Sequence, residues 1–224
     1  MQSRRTEFFR KVFEDNTWAD TESRSGLGSN LAATTRVRTD LPAVLRYYKI
    51  RSMLDAPCGD FFWMKTVDLG QTAYIGGDIV PDIIASNTQL HAKANRRFAV
   101  TDLVEDDLPD VDLIFCRDCF IHFSTDLIFR TLRNMVRSKA RYVMMTHDVS
   151  LARYESVGWK NIDLDSPTDE VSFTFRPLNL TLPPFNLPPP IFAINEGNWD
   201  NGKVLGMWTT DQIRTALESA NDLA

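Results

Sequence analysis

From residue 50 onward the chain alternates short continuous apolar runs with stretches of helical character, and each run is stopped by glycine, proline or aspartate. The runs are 52–56, 73–78, 97–100, 112–116 and 141–146; the helix-like stretches between them are 62–67, 81–93 and 125–138. A strand apolar on both faces has to be covered on both faces, and its partners in series with helices are parallel. The rhythm therefore predicts an α/β, doubly wound, mostly parallel sheet with right-handed crossovers. Two more strands, at 191–195 and 203–208, bring the expected number to seven. Hydrophobic residues make up 43% of the 224 and charged residues 25%, enough apolar material for one such core.

Around this core the pattern differs. Phe8, Phe9, Val12 and Phe13 have near-helical spacing within 1–25, and Ser25, Gly26 and Gly28 mark a loop over 23–30. A second helix is expected over about 40–49, with Asp40 as N-cap and Pro42 in the first turn. Six of the eleven prolines fall within 177–190, which excludes a helix or a central strand there. Thr209 and Gln212 have capping-box spacing at the start of a last helix. The expected organisation is a helical cap with a ligand-facing loop at 1–50 and a core at 51–224 carrying a proline-rich insertion at about 147–190.

Charge and composition narrow the function. Lysine plus arginine is 25 and aspartate plus glutamate 30, a net charge of −5, which argues against a sequence-independent nucleic-acid binder. No apolar run reaches the roughly 18–20 residues of a membrane span. The amino terminus leads into charged residues and not into a signal peptide's apolar stretch. With three cysteines, the expectation is a protein of a reducing cytoplasm. The oligomeric state is left open.

Three acids stand just past the ends of three successive strands: Asp55, Asp78 and Asp102. Open α/β sheets bind ligands at that edge. Gly59 lets backbone approach a ligand closely, and Asp78, nineteen positions beyond it, stands where a ribose-binding carboxylate belongs. Asp102 is suited to accept from an exocyclic amino group such as adenine N6. A nicotinamide cofactor is the rival, but its pyrophosphate needs a glycine-rich turn of backbone donors. Here Pro57 removes a donor and Asp60 repels phosphate, so the site suits a cationic adenosine ligand.

The run Leu54-Asp55-Ala56-Pro57-Cys58-Gly59-Asp60-Phe61-Phe62-Trp63-Met64, with Gly77-Asp78-Ile79-Val80, Thr101-Asp102-Leu103 and Cys116-Arg117-Asp118-Cys119-Phe120-Ile121-His122-Phe123, resembles class I S-adenosylmethionine-dependent methyltransferases. More narrowly, it resembles a bacterial subgroup with an LDAPCGDF-type first motif, associated with polysaccharide and small-molecule modification. The resemblance implies a Rossmann-like sheet of seven strands with the last antiparallel. It places Asp55 by the methionine amino group, Gly59 against the cofactor, Asp78 on ribose and Asp102 near adenine. Pro57, Cys58, Ile79, Leu103, Cys116 and Arg117 complete the implied cofactor contacts. Pro57 and Cys58 stand where glycines are usual in the family.

Methyl transfer to a hydroxyl needs one proton removed and the acceptor aligned. His122 and His147, each following a strand, are candidate bases, with Asp118 as a third. Asp118, His147 and Asp148 could gather a magnesium ion, but no spacing demands it, and no metal is expected. Cys116 and Cys119 lack the second pair that zinc would need. Arg24, Ser25, Arg117 and Trp159 are candidate substrate contacts, with Phe173, Phe175, Phe185 and Trp199 as possible walls. The implied reaction is transfer of a methyl group to a hydroxyl of a small molecule, a sugar or sugar-linked group. An N-methyltransferase and a catalytically silent cofactor-binding module are the alternatives.

Overall fold

The computed structural model describes residues 3–164, 170–197 and 202–221; Trp199 lies outside them. Seven strands form one sheet: β1 (Ser52–Asp55), β2 (Ala73–Asp78), β3 (Arg96–Val100), β4 (Leu113–Cys116), β5 (Tyr142–Asp148), β6 (Phe192–Asn195) and β7 (Lys203–Thr209). Their order is β3-β2-β1-β4-β5-β7-β6. The first five pair in parallel, and β7 runs antiparallel to both β5 and β6. The chain builds outward from β1 to β3 and returns to β4 on the other side of β1, so the switch point lies between β1 and β4.

Successive residues of each central strand serve opposite faces. Leu54, Ile114, Val143 and Met145 pack with Leu127, Ile128 and Leu132 of α4 (Thr125–Arg137) and Ile213 and Leu217 of α6 (Thr210–Asn221). Met53, Leu113, Phe115 and Met144 pack on the other face with Val37, Leu41, Val44 and Leu45 of α2 (Thr35–Tyr47). This double burial is why the strands read as unbroken apolar runs.

Three elements depart from the sequence expectation. Helix α2 begins at Thr35, not Asp40, and carries Pro42 inside it. Val37, Leu41, Val44 and Leu45 make one buried stripe, and that burial outweighs the proline. The stretch 62–67 forms only a 3₁₀ turn, Met64–Thr66, because Gly59 (φ 53°) and Phe61 (φ 57°) are left-handed and Asp60 Oδ1 takes the Phe62 N–H. Strand β5 runs on to Asp148, two residues further than expected. The capping box is formed as spaced: Gln212 Oε1 accepts the Thr209 N–H at 2.9 Å and Thr209 Oγ1 accepts the Gln212 N–H at 3.1 Å.

Helix α1 (Arg4–Glu14) and a strap over 15–34 lie across the carboxyl edge of the sheet. Helix α3 (Pro81–His91) follows β2, and the short α5 (Leu151–Ser156) follows β5. Among the described residues no helix is long and apolar enough to cross a membrane.

Candidate active site

A cavity of about 420 Å³ opens at the carboxyl edge of the sheet. Its walls include Asp55, Pro57, Cys58, Gly59, Asp78, Ile79, Asp102 and Leu103, so the ends of β1, β2 and β3 face one space. The Asp78 carboxylate takes two backbone donors, Gly59 N–H at 3.1 Å and Val80 N–H at 3.0 Å. Burial pushes its pKa up to about 6 against those two bonds. Asp55 accepts the Tyr74 hydroxyl at 2.5 Å, and burial raises its pKa to about 7. The Cys58 thiol is pushed up by burial, so it sits in the wall as an uncharged group.

Asp102 is less open than its position suggests. Arg5 of α1 places a guanidinium nitrogen 2.7 Å from Oδ2, and Oδ1 accepts the Val104 N–H at 2.9 Å. Arg5 also holds Glu170 at 3.0 Å, so α1 is fastened across the Asp102 side of the cavity by ion pairs. Nothing in the local sequence signals this partner 97 residues upstream.

The strap is held by Asp60. Its carboxylate accepts from Ser23 Oγ at 3.0 Å, the Arg24 N–H at 2.9 Å and Ser25 Oγ at 3.3 Å. Ser25 thereby closes over Gly59, where an added Cβ would lie 2.2 Å from its Oγ. Ser25 lines the cavity as expected of a loop residue; Arg24 does not, its guanidinium lying over the Phe13 ring at 5.7 Å.

On the β4 side, Arg117 and Asp118 line the cavity, and Cys116 does not, being packed into the core. Arg117 grips Glu196 with two bonds, 2.9 and 2.7 Å, and reaches Asp118 at 3.1 Å. Lys203, the first residue of β7, bridges the same two acids at 2.7 and 3.1 Å. Burial alone would raise the Asp118 carboxyl; Arg117 and Lys203 outweigh it and hold the group well below the usual carboxylate range. A carboxylate so committed is a poor proton acceptor. Neither Lys203 nor Glu196 was legible as a site residue, since each is brought there only by pairing of the last two strands.

The two histidines separate. His122 ends the 3₁₀ turn Phe120–His122 and lines the cavity. Its Nδ1 donates to the Thr174 carbonyl at 3.1 Å, which leaves Nε2 as the ring's acceptor. Burial lowers its pKa, so the ring is neutral at pH 7, and it stacks on Trp18 of the strap at 5.1 Å. His147 does not line the cavity, contrary to expectation. Thr146 and Asp148 do, and the alternation of β5 turns the residue between them to the opposite face. There His147 Nδ1 accepts the Leu180 N–H at 3.1 Å, its ring meets Trp208, and burial drops its pKa to about 4.

Trp159 is another displaced expectation: it is half exposed and outside the cavity. Of the other aromatics named for the wall, Phe175 lines the cavity, Phe173 is exposed with its carbonyl held by Trp18 Nε1 at 2.8 Å, and Phe185 is buried in the core. Among the described residues no three histidine, cysteine or acidic side chains gather to hold a metal ion.

No family model and no curated protein matches the sequence. Solved structures do match in fold. Magnesium protoporphyrin IX methyltransferase (ChlM) from Synechocystis PCC 6803, with bound S-adenosylhomocysteine, superposes with a TM-score of 0.59 at 11% identity over 91% of this chain and 97% of that one. The N-methyltransferase NodS from Bradyrhizobium japonicum WM9, in complex with S-adenosylhomocysteine, gives 0.57 at 13% identity over 89% and 98%. The PH0226 protein from Pyrococcus horikoshii OT3 gives 0.55 at 16% identity over 91% and 98%. The chain has the seven-stranded Rossmann-like fold of class I S-adenosylmethionine-dependent methyltransferases.

Proposed function

We infer that the chain transfers a methyl group from S-adenosylmethionine to a hydroxyl of a small molecule, a sugar or sugar-linked group. The observation that carries the reading is that Asp55, Asp78 and Asp102 line one cavity beside the β1/β4 switch point. The residues fit the donor. Two desolvated carboxylates, Asp55 and Asp78, favour a cationic ligand, and the first turn lacks the run of free backbone donors that a pyrophosphate requires. Fold neighbours crystallised with the demethylated product support the same choice.

When bound, the donor supplies a sulfonium-activated methyl group. The chain's own residues do the rest. Asp78 accepts from ribose hydroxyls while its backbone bonds fix its rotamer. Asp102, paired with Arg5, borders the adenine. Trp18 and Phe175 wall the acceptor side and exclude water, and His122 Nε2 takes the acceptor's hydroxyl proton. Nδ1 stays bonded to Thr174, so the ring enters the reaction in the right tautomer. A hydroxyl acceptor is favoured over an amine because a neutral, oriented imidazole stands in the wall.

The test combines calorimetry with S-adenosylmethionine and S-adenosylhomocysteine and transfer of a labelled methyl group to a panel of sugars and amines. Binding of both ligands is expected, together with a loss of turnover of about 100-fold or more in His122→Gln at unchanged donor affinity. Absence of binding to either ligand overturns the reading.

A further inference from the structure

The cavity is electrically two-sided. The β1–β3 half carries four carboxylates, Asp55, Asp60, Asp78 and Asp102, against the single guanidinium of Arg5. The β4–β5–β7 half carries four cations, Arg117, Arg153, Arg176 and Lys203, against Asp118 and Asp148 in the lining, with Glu196 and Asp163 behind them. In a chain of net charge −5, the lining of that half holds two more cations than acids. Focusing of this kind recruits ligands of opposite sign.

Three of those cations, Lys203, Arg153 and Arg176, line the cavity and are linked through shared neighbours into one arc. Lys203 is the cross-strand partner of Asp148, and Asp148 holds Arg153 at 2.6 Å. Arg153 and Arg176 both lie near enough to the buried Tyr154 hydroxyl to act on its charge. Arg176 is the least compensated of the three. Among the described residues its end nitrogens donate to the Ile162 and Phe123 carbonyls, its one carboxylate, Asp163, is 3.4 Å away, and its Nε is buried without a hydrogen-bond partner. Burial lowers its pKa, as expected of a cation short of counter-charge. Lys203 spends two of its three N–H donors on Asp118 and Glu196 and keeps a third.

The donor of the proposed reaction is itself cationic and matches the acidic half, so the basic half is left to the acceptor. We propose that the acceptor carries an anionic group, a carboxylate or a phosphate, seated on the arc of Lys203, Arg153 and Arg176. This deepens the methyl-transfer reading and rests on it for the word acceptor; the arc as an anion site stands on its own geometry. Guanidinium and ammonium groups together suit oxyanions with several acceptor oxygens. The hydroxyl to be methylated then projects from the anchored group toward His122.

Calorimetric titration of the protein loaded with S-adenosylhomocysteine, using inorganic phosphate, acetate and glucose at constant ionic strength, tests this. Saturable binding of phosphate or acetate is expected, and the tighter of the two identifies the source of the charge. Arg176→Gln and Lys203→Met should each weaken that binding by about tenfold or more. Arg176→Lys should retain most of it, and Arg176→Gln should bind S-adenosylhomocysteine as the parent does, which also reports that it has folded. The proposal is overturned if neither anion saturates, if glucose binds as tightly as both, or if the two charge-removing variants leave anion binding unchanged. If S-adenosylhomocysteine itself does not bind, the donor reading falls, and the same anion titrations of the unloaded protein still decide the arc.

Discussion

Asp78 accepts the Gly59 backbone N–H at 3.1 Å, so a carboxylate at the end of β2 locks the turn after β1. The other oxygen holds Val80 N–H, and the pair of bonds fixes the side chain with its outer lone pairs toward the cavity. Asparagine offers only one acceptor atom, so Asp78→Asn must abandon Gly59 or Val80 and also loses a ribose acceptor. S-adenosylhomocysteine affinity should fall by about tenfold or more, measured by calorimetry. An unchanged dissociation constant would remove Asp78 from the site.

The raised pKa values of Asp55 and Asp78 give the donor site a pH signature. Both carboxyls hold their protons up to about 7 and about 6, and a nearby sulfonium favours the ionised forms. Binding of the cation therefore releases protons, and affinity for it climbs as pH rises through that range. S-adenosylhomocysteine lacks the sulfonium charge and gains less. The ratio of S-adenosylmethionine to S-adenosylhomocysteine affinity should increase between about pH 5 and pH 8 and then level off. A ratio independent of pH would place the sulfonium away from these two groups.

Gly59 is constrained twice, by φ 53° and by Ser25 Oγ lying 2.2 Å from where a Cβ would stand. Gly59→Ala should cost about 1–2 kcal/mol in denaturant unfolding from the left-handed backbone alone. It should also lift the strap, which limited proteolysis between residues 20 and 30 will register as faster cleavage. Adding Ser25→Ala should slow that cleavage without restoring the backbone term. Equal protease resistance in the single variant and its parent would mean the strap is not held through this contact.

The order of elements, the three carboxylates at strand ends and the capping box could be read from the sequence because each is local: apolar runs, a punctuating glycine, a fixed spacing. What could not be read depends on pairing across the sheet. Because β5 continues through His147 to Asp148, strand alternation carries His147 to the face opposite Thr146 and Asp148, and a one-residue change in strand phase would reverse that anywhere. Asp118 looked like a base until β7 brought Lys203 beside it, 85 residues away in the chain. Arg117 looked like an anion contact until Glu196 occupied two of its nitrogens. Pro42 misled in the opposite direction, since it reads as a helix start and the buried stripe of α2 overrides it.

The Arg117–Glu196 pair is the most deeply buried charge pair at the site, with side chains 4% and 2% exposed. Burial works against the Arg117 charge, and Asp118 and Glu196 outweigh it, so the guanidinium stays charged at every accessible pH. Its stacking over Trp63 at 5.4 Å adds packing that an apolar side chain could partly replace. Removing one partner strands the other charge. Glu196→Gln should lower the free energy of unfolding by about 3 kcal/mol, the low end for a broken buried pair, because Asp118 still faces Arg117. Arg117→Met together with Glu196→Leu should lose less than the two single changes added, because neither partner is then left buried and charged. Chemical denaturation of the four proteins measures the coupling, and strict additivity would show that the pair does not act as a unit.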